Sequence, residues 1–276
     1  MTVDVYQFKL GAFGCAVIND FSVQMPLQDL VANADEQGAL KHNLQAEETL
    51  CYDCLFIDTG QHKVLVDSGQ GSRRENKGRL LQGLLTLGIR PADIDLVAIT
   101  HGDGDHVGGL VNDAGQPTFS NARHVMWDQA WKNWMEGGVD LSDWPQDFVA
   151  FIRQTLAAVQ NQMDLVPAET EFLPGMRLVP AVGHRHEHAV IIINSQGQQL
   201  LHAGDALVHP IFITCPDWYS VYDSIPEQAI LVKKRLLDQA AAEGYLVFGS
   251  HMPFPGLGRV RREKDGWSWL PLQSLS

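Results

Sequence analysis

Apolar runs of four to seven residues, bounded by turn residues, recur along this chain and predict strands rather than helices. CLFIDTG and HKVLVDSG meet at Gly60-Gln61-His62, a hairpin-like signal. GRLLQGLLTL (78–87) instead spaces its leucines as a helix does, with Gly88 placed to end it and Pro91 preventing continuation. DLVAIT (95–100) predicts a short buried strand that stops at His101, and the glycine-rich segment His101 to Gly109 predicts a loop. Over about residues 112–170 the pattern turns helical. Trp127, Trp131 and Trp134 fall at i, i+4 and i+7 on one predicted face, and Phe148 to Met163 forms a second helical stretch. A second strand series follows: MRLVPAV (176–182), AVIIIN (189–194) and QQLLHAG (198–204). Ser224 to Glu243 then reads as a helix with Ser224 as N-cap and Pro226 near its first turn. YLVFGSH (245–251) is the last predicted strand, again stopping at a histidine. No repeat or low-complexity linker interrupts this order. It predicts one domain over 1–276, with two sheets, helices outside them and a helical insertion at about 112–170.

Composition narrows the classes. With 45% hydrophobic residues the 276-residue chain is globular, not disordered. Its formal charge of −13 argues against a nucleic-acid partner. The basic clusters Arg73-Arg74, Lys233-Lys234-Arg235 and Arg259 to Lys264 read as solvated faces. No run reaches the ~20 apolar residues of a membrane span, and the N-terminus lacks the charged-then-apolar pattern of a signal peptide. Four cysteines are too few for a disulfide framework, and Cys51-x-x-Cys54 has no second pair to complete a four-sulfur site. These features predict a cytoplasmic protein without membrane attachment. A homo-oligomer is left open.

The chemistry concentrates where predicted strands end. His101, Asp103, Asp105 and His106 form H-x-D-x-D-H directly after strand 95–100. His184, Asp205 and His251 each follow a later strand. Aspartates beside buried strands are costly without a cation, and convergent N and O donors from several strand ends suit a metal.

THGDGDHVGG resembles the signature of the metallo-β-lactamase fold superfamily, usually H-x-H-x-D-H, and His184, Asp205 and His251 follow in that superfamily's ligand order. VLVDSGQG resembles its strand turn, with Asp67 supporting the ligands, and GHRHEH (183–188) stands in place of G-H-T-P-G-H. DALVHP, CPDWYSVYD and SHMPFPGLGRV resemble the methyl parathion hydrolase-like and lactonase-like branch. The resemblance implies an α/β (α+β) fold, an αββα four-layer sandwich. It also implies two divalent metals: one on His101, Asp103 and His184, one on Asp105, His106 and His251, with Asp205 bridging. Asp105 is the side chain to which catalysis is also assigned, although the nucleophile implied is a metal-activated hydroxide. Asp103 departs from the usual histidine. Its carboxylate opens the site to iron or manganese beside the expected zinc, and Asp103→His is expected to restore the commoner imidazole set and favour zinc. His188 is expected to support a ligand by hydrogen bonding, His186 to face solvent, and His209 to line a pocket or a turn. Phe254 and the tryptophans are candidates for an apolar acyl or aryl pocket. His42, His62 and His124 are given no role.

The function implied is a dinuclear metallohydrolase of a small ester, lactone or phosphoester. The alternatives are a non-haem di-iron redox protein, motivated by Asp103, and a non-catalytic binding protein with a vestigial site.

Overall fold

The computed structural model describes residues 3–72 and 78–272. Two seven-stranded sheets face each other. The first runs in chain order from β1 to β7: β1 (Val5–Leu10), β2 (Phe13–Pro26), β3 (Glu47–Asp58), β4 (Lys63–Val66), β5 (Leu96–Ile99), β6 (Arg123–Trp127) and β7 (Met163–Val166). The second is ordered β14 to β8: β8 (Glu171–Leu173), β9 (Met176–Pro180), β10 (Ala189–Ser195), β11 (Gln198–His202), β12 (Leu246–Phe248), β13 (Leu257–Glu263) and β14 (Gly266–Pro271). The helices are α1 (Glu36–Lys41), α2 (Leu80–Thr86), α3 (Gly104–Val107), α4 (Asp128–Met135), α5 (Gln146–Ala158), α6 (Ile211–Thr214) and α7 (Pro226–Glu243).

Strand periodicity explains the layering. Central strands carry unbroken apolar runs because both of their faces are buried. In β5, Leu96 and Ala98 point into the core between the sheets, while Val97 and Ile99 pack outward beneath α2, α4 and α5. In β10, Ile191 and Ile193 join the same inter-sheet core, and Val190 and Ile192 face Leu236, Leu237 and Ala240 of α7. The order is therefore helix, sheet, sheet, helix, the αββα sandwich implied by the sequence.

The hairpin β3–β4 and the helix ending at Gly88, φ +76°, stand as expected. Other elements differ. The His101–Gly109 segment contains the one-turn helix α3, which the four glycines had concealed. Residues 112–170 hold not only helices but also β6 and β7, which extend the first sheet. Trp127 ends β6 and packs against the inter-sheet core, so it does not share a face with Trp131 and Trp134 of α4. YLVFGSH is not the last strand: β13 and β14 follow, and β13 carries charged side chains at its exposed positions. Ser224 does not cap α7. The N-cap is Ile225, and Ser224 Oγ accepts from Arg185. The Arg73-Arg74 cluster lies outside the described residues.

Candidate metal centre

The C-terminal ends of β5, β9, β11 and β12 deliver His101, His184, Asp205 and His251 to one edge of the sandwich. The single turn of α3 adds Asp105 and His106. His101, His184 and Asp205 offer donor atoms within 4.8 Å of one another, and so do Asp105, His106 and His251.

Each of the four imidazoles is oriented by its Nδ1. Thr100 Oγ1 donates to Asp67 Oδ2 (2.8 Å), leaving it to accept from His101 Nδ1 (3.0 Å). His106 Nδ1 donates to Asp67 Oδ2 (2.8 Å), His184 Nδ1 to Asp223 Oδ1 (3.1 Å), and His251 Nδ1 to the Cys51 carbonyl (2.9 Å). With its hydrogen on Nδ1, each ring presents an Nε2 lone pair to the centre. Nε2 of His101, His106 and His184, like Asp205 Oδ1, is buried without a hydrogen-bond partner.

Donors held about 2.0–2.2 Å from one tetrahedral ion lie about 3.3–3.6 Å apart. Asp205 Oδ2 is 3.8 Å from His101 Nε2 and 3.3 Å from His184 Nε2. Asp205 Oδ1 is 3.2 Å from Nε2 of both His106 and His251, and Asp105 Oδ2 is 3.4 Å from each of the same two nitrogens. Asp205 Oδ1 thus faces His106 and His251, and Oδ2 faces His101 and His184 while also lying 3.2 Å from His251 Nε2. These residues fit a pair of divalent cations: neutral imidazole and carboxylate donors, spaced as one shell each and joined by one carboxylate.

Asp103 reaches the same space from the side. Its Oδ2 is 3.7 Å from His101 Nε2 and 3.5 Å from His184 Nε2, while Arg185 Nε donates to Oδ1 (2.9 Å) and Nη2 to Oδ2 (2.5 Å). Burial pushes the Asp103 carboxyl up, but Arg185 and then His101 outweigh it and hold the group well below the usual carboxylate range. For Asp205 burial is likewise outweighed, by His251, His106 and His184.

The supporting residues are local consequences of the chain. Asp67 takes a left-handed conformation, φ +61°, which aspartate tolerates better than most residues. Its other oxygen accepts from Thr100 N (2.8 Å), tying the ends of β4 and β5 together. His188 accepts at Nε2 from Asp205 N (2.9 Å), the supporting role expected of it. Gly204, φ +50°, sits so close that a Cβ there would lie 2.6 Å from that nitrogen. His186 is exposed, and His209 Nδ1 accepts from Ile211 N in a turn.

The donors open on a cavity of about 680 Å³ with apolar walls from Leu30, Leu50, Tyr52, Phe148, Phe151 and Val208. Trp144 also lines it, stacked on Phe148 with 5.9 Å between centroids. Phe254 does not line it and packs on the inter-sheet core instead. Trp134 is buried behind the wall, donating from Nε1 to Glu187 Oε1 (2.8 Å).

Sequence reasoning assigned nothing to Arg185, Asp223 or Thr100. The available signal was Arg185 itself, which with His186 and Glu187 departs from G-H-T-P-G-H, beside the separate departure at Asp103 in H-x-D-x-D-H.

A family model described as the metallo-beta-lactamase superfamily matches residues 52–251. The chain belongs to that superfamily. Among solved structures of this fold, AidC, described as a dizinc quorum-quenching lactonase in complex with a product, N-hexanoyl-L-homoserine, is 23% identical, with TM-score 0.90 and 99% of each chain covered. AbOPH, a hydrolase of the beta-lactamase superfamily, is 21% identical, with TM-score 0.89 and the same coverage. A probable metal-dependent hydrolase from Staphylococcus aureus is 22% identical, with TM-score 0.80, covering 98% of this chain and 100% of that one. Among curated proteins, ribonuclease Z of Pyrobaculum calidifontis is 49% identical over 49 residues, which span 18% of this chain and 14% of that protein. No helix among the described residues is long and apolar enough to cross a membrane.

Proposed function

We propose that this superfamily member is a dinuclear metal-dependent hydrolase of a small carboxylic ester, with a lactone bearing an apolar acyl group as the preferred substrate class. One observation carries the reading. Four imidazoles have their Nδ1 hydrogens committed elsewhere and aim Nε2 at a carboxylate-lined space that opens on an apolar cavity. The first cation is assigned to His101, His184, Asp205 and Asp103, the second to Asp105, His106, His251 and Asp205. Zinc suits this mixture of nitrogen and oxygen donors. Such a pair supplies an activated water and polarises the oxygen of the scissile group.

The chain's own residues do the rest. Asp67 and Asp223 hold His106 and His184 in the ligating tautomer. Asp105, the more exposed of the centre's carboxylates, faces the cavity and is positioned to accept a proton from the attacking water. Phe148, Phe151 and Leu50 bind the apolar acyl group and keep water from its path. Lactones rank first because AidC is a lactonase and these walls are apolar; aryl esters and phosphoesters rank behind. Free, largely buried cysteines fit a reducing cytoplasm.

The test is metal analysis of purified protein together with a panel of acyl lactones, aryl esters and phosphotriesters. Two metals per chain with metal-dependent lactone opening is the expected result. Metal-dependent oxygen consumption with no hydrolysis of any ester would overturn it.

A further inference from the structure

Asp103 stands at the N-cap of α3, where an aspartate ordinarily accepts from a backbone N–H of the first turn. It makes no such bond. Both its oxygens engage Arg185 instead, in a paired donor–acceptor fork. Arg185 is itself only 8% exposed. Its Nη1 donates to the His184 carbonyl (2.8 Å), to Ser224 Oγ (3.2 Å) and to the Tyr222 carbonyl. Its guanidinium lies 4.7 Å from the Trp144 ring centroid, on the cavity wall. Two other carboxylates act on Arg185, but Asp205 faces the imidazole nitrogens of the centre, and the oxygens of Glu187 are taken by Trp134 Nε1 and Asn133 Nδ2. Asp103 is therefore the partner around which this buried cation is built.

We propose that Arg185 is the positioning residue for Asp103. The fork turns Asp103 Oδ2 toward His101 and His184 Nε2, and its positive charge offsets the negative charge that aspartate brings in place of a neutral imidazole. This inference rests on the dinuclear reading. It changes two expectations. The offset removes the electrostatic reason for favouring iron or manganese over zinc. It also reverses the expected effect of Asp103→His: an imidazole there leaves Arg185 a buried cation without its carboxylate fork beside a dication site.

The test is a cycle of full-length variants titrated with zinc against a competing chelator. Asp103→His should weaken the weaker-bound zinc by about tenfold or more, and Asp103→His with Arg185→Ala should return it to within about threefold of wild type. In chelator, without zinc, Arg185→Ala should lower the thermal midpoint by roughly 5–10 °C. On an Asp103→Asn background the same change should cost less than half as much. This second arm stands even where the histidine variant fails to fold. Additive effects in either arm, with a wild type that binds two zinc ions, would overturn the positioning role alone. A wild type that binds fewer than two would overturn the dinuclear reading and this inference with it.

Discussion

Asp67→Asn changes one atom of the support beneath the centre and should remove one metal. Asparagine keeps the shape and tolerates the left-handed backbone of this position, so the turn after β4 should survive. The hydrogen bonds cannot all survive. Asp67 Oδ1 accepts from Thr100 N, and Oδ2 accepts from both Thr100 Oγ1 and His106 Nδ1, each at 2.8 Å. An amide has one oxygen. If it faces Thr100 N, the NH2 meets His106 Nδ1, which must give up its hydrogen; Nε2 then carries it into the centre and cannot ligate. If the amide turns over, two donors meet in a buried space. Either arrangement loses a hydrogen bond to a charged group, about 1.5–3 kcal/mol. Loss of an orienting partner of this kind lowers metal affinity about 10- to 100-fold, which is about 1.4–2.7 kcal/mol. The assay is zinc stoichiometry and competition titration at neutral pH, with circular dichroism confirming the fold. Retention of both ions within about threefold of wild-type affinity would show that Asp67 does not set the His106 tautomer.

Three further outcomes are expected. Phe148→Ala should lower kcat/KM for a hexanoyl lactone by about tenfold or more while changing an acetyl ester less, because the phenyl ring is a wall of the cavity; equal losses on both would contradict an acyl-binding wall. Gly102→Ala should destabilise the fold by about 1–3 kcal/mol in a denaturant titration, since a Cβ there would overlap the Trp134 indole that donates to Glu187. His124 is buried, and burial brings its pKa down to about 4. Its stabilising contribution is present above about pH 6.5 and is lost as pH falls through the folded value. His124→Leu should flatten stability between pH 6.5 and 4 by up to about 3 kcal/mol relative to wild type, and an unchanged slope would contradict it.

The residues that converge at the candidate centre were legible in the sequence because each follows an apolar strand, and strands of this length have few ways to end. His101 after DLVAIT and His251 after YLVFGS are placed by the burial of those runs alone. The layers were legible for the same reason: unbroken apolar runs require cover on both faces. Arg185 was not legible, because its role depends on Asp103, 82 residues away, and no periodicity connects them. Ser224 shows the limit of local rules. A serine two residues before a helical proline suits an N-cap, yet a buried guanidinium took its hydroxyl. The strands within 112–170 were hidden by the tryptophans, whose spacing fits a helix across the point where β6 becomes α4.

In the proposed dinuclear centre Asp205 joins two cation sites, one against His101 and His184, the other against Asp105, His106 and His251. Anomalous diffraction from crystals of the zinc-loaded protein tests this directly. Two peaks about 3.5–4 Å apart are expected, each within bonding distance of its own histidines, with one oxygen of Asp205 on each. A single peak, or a second peak away from Asp105, His106 and His251, would contradict it.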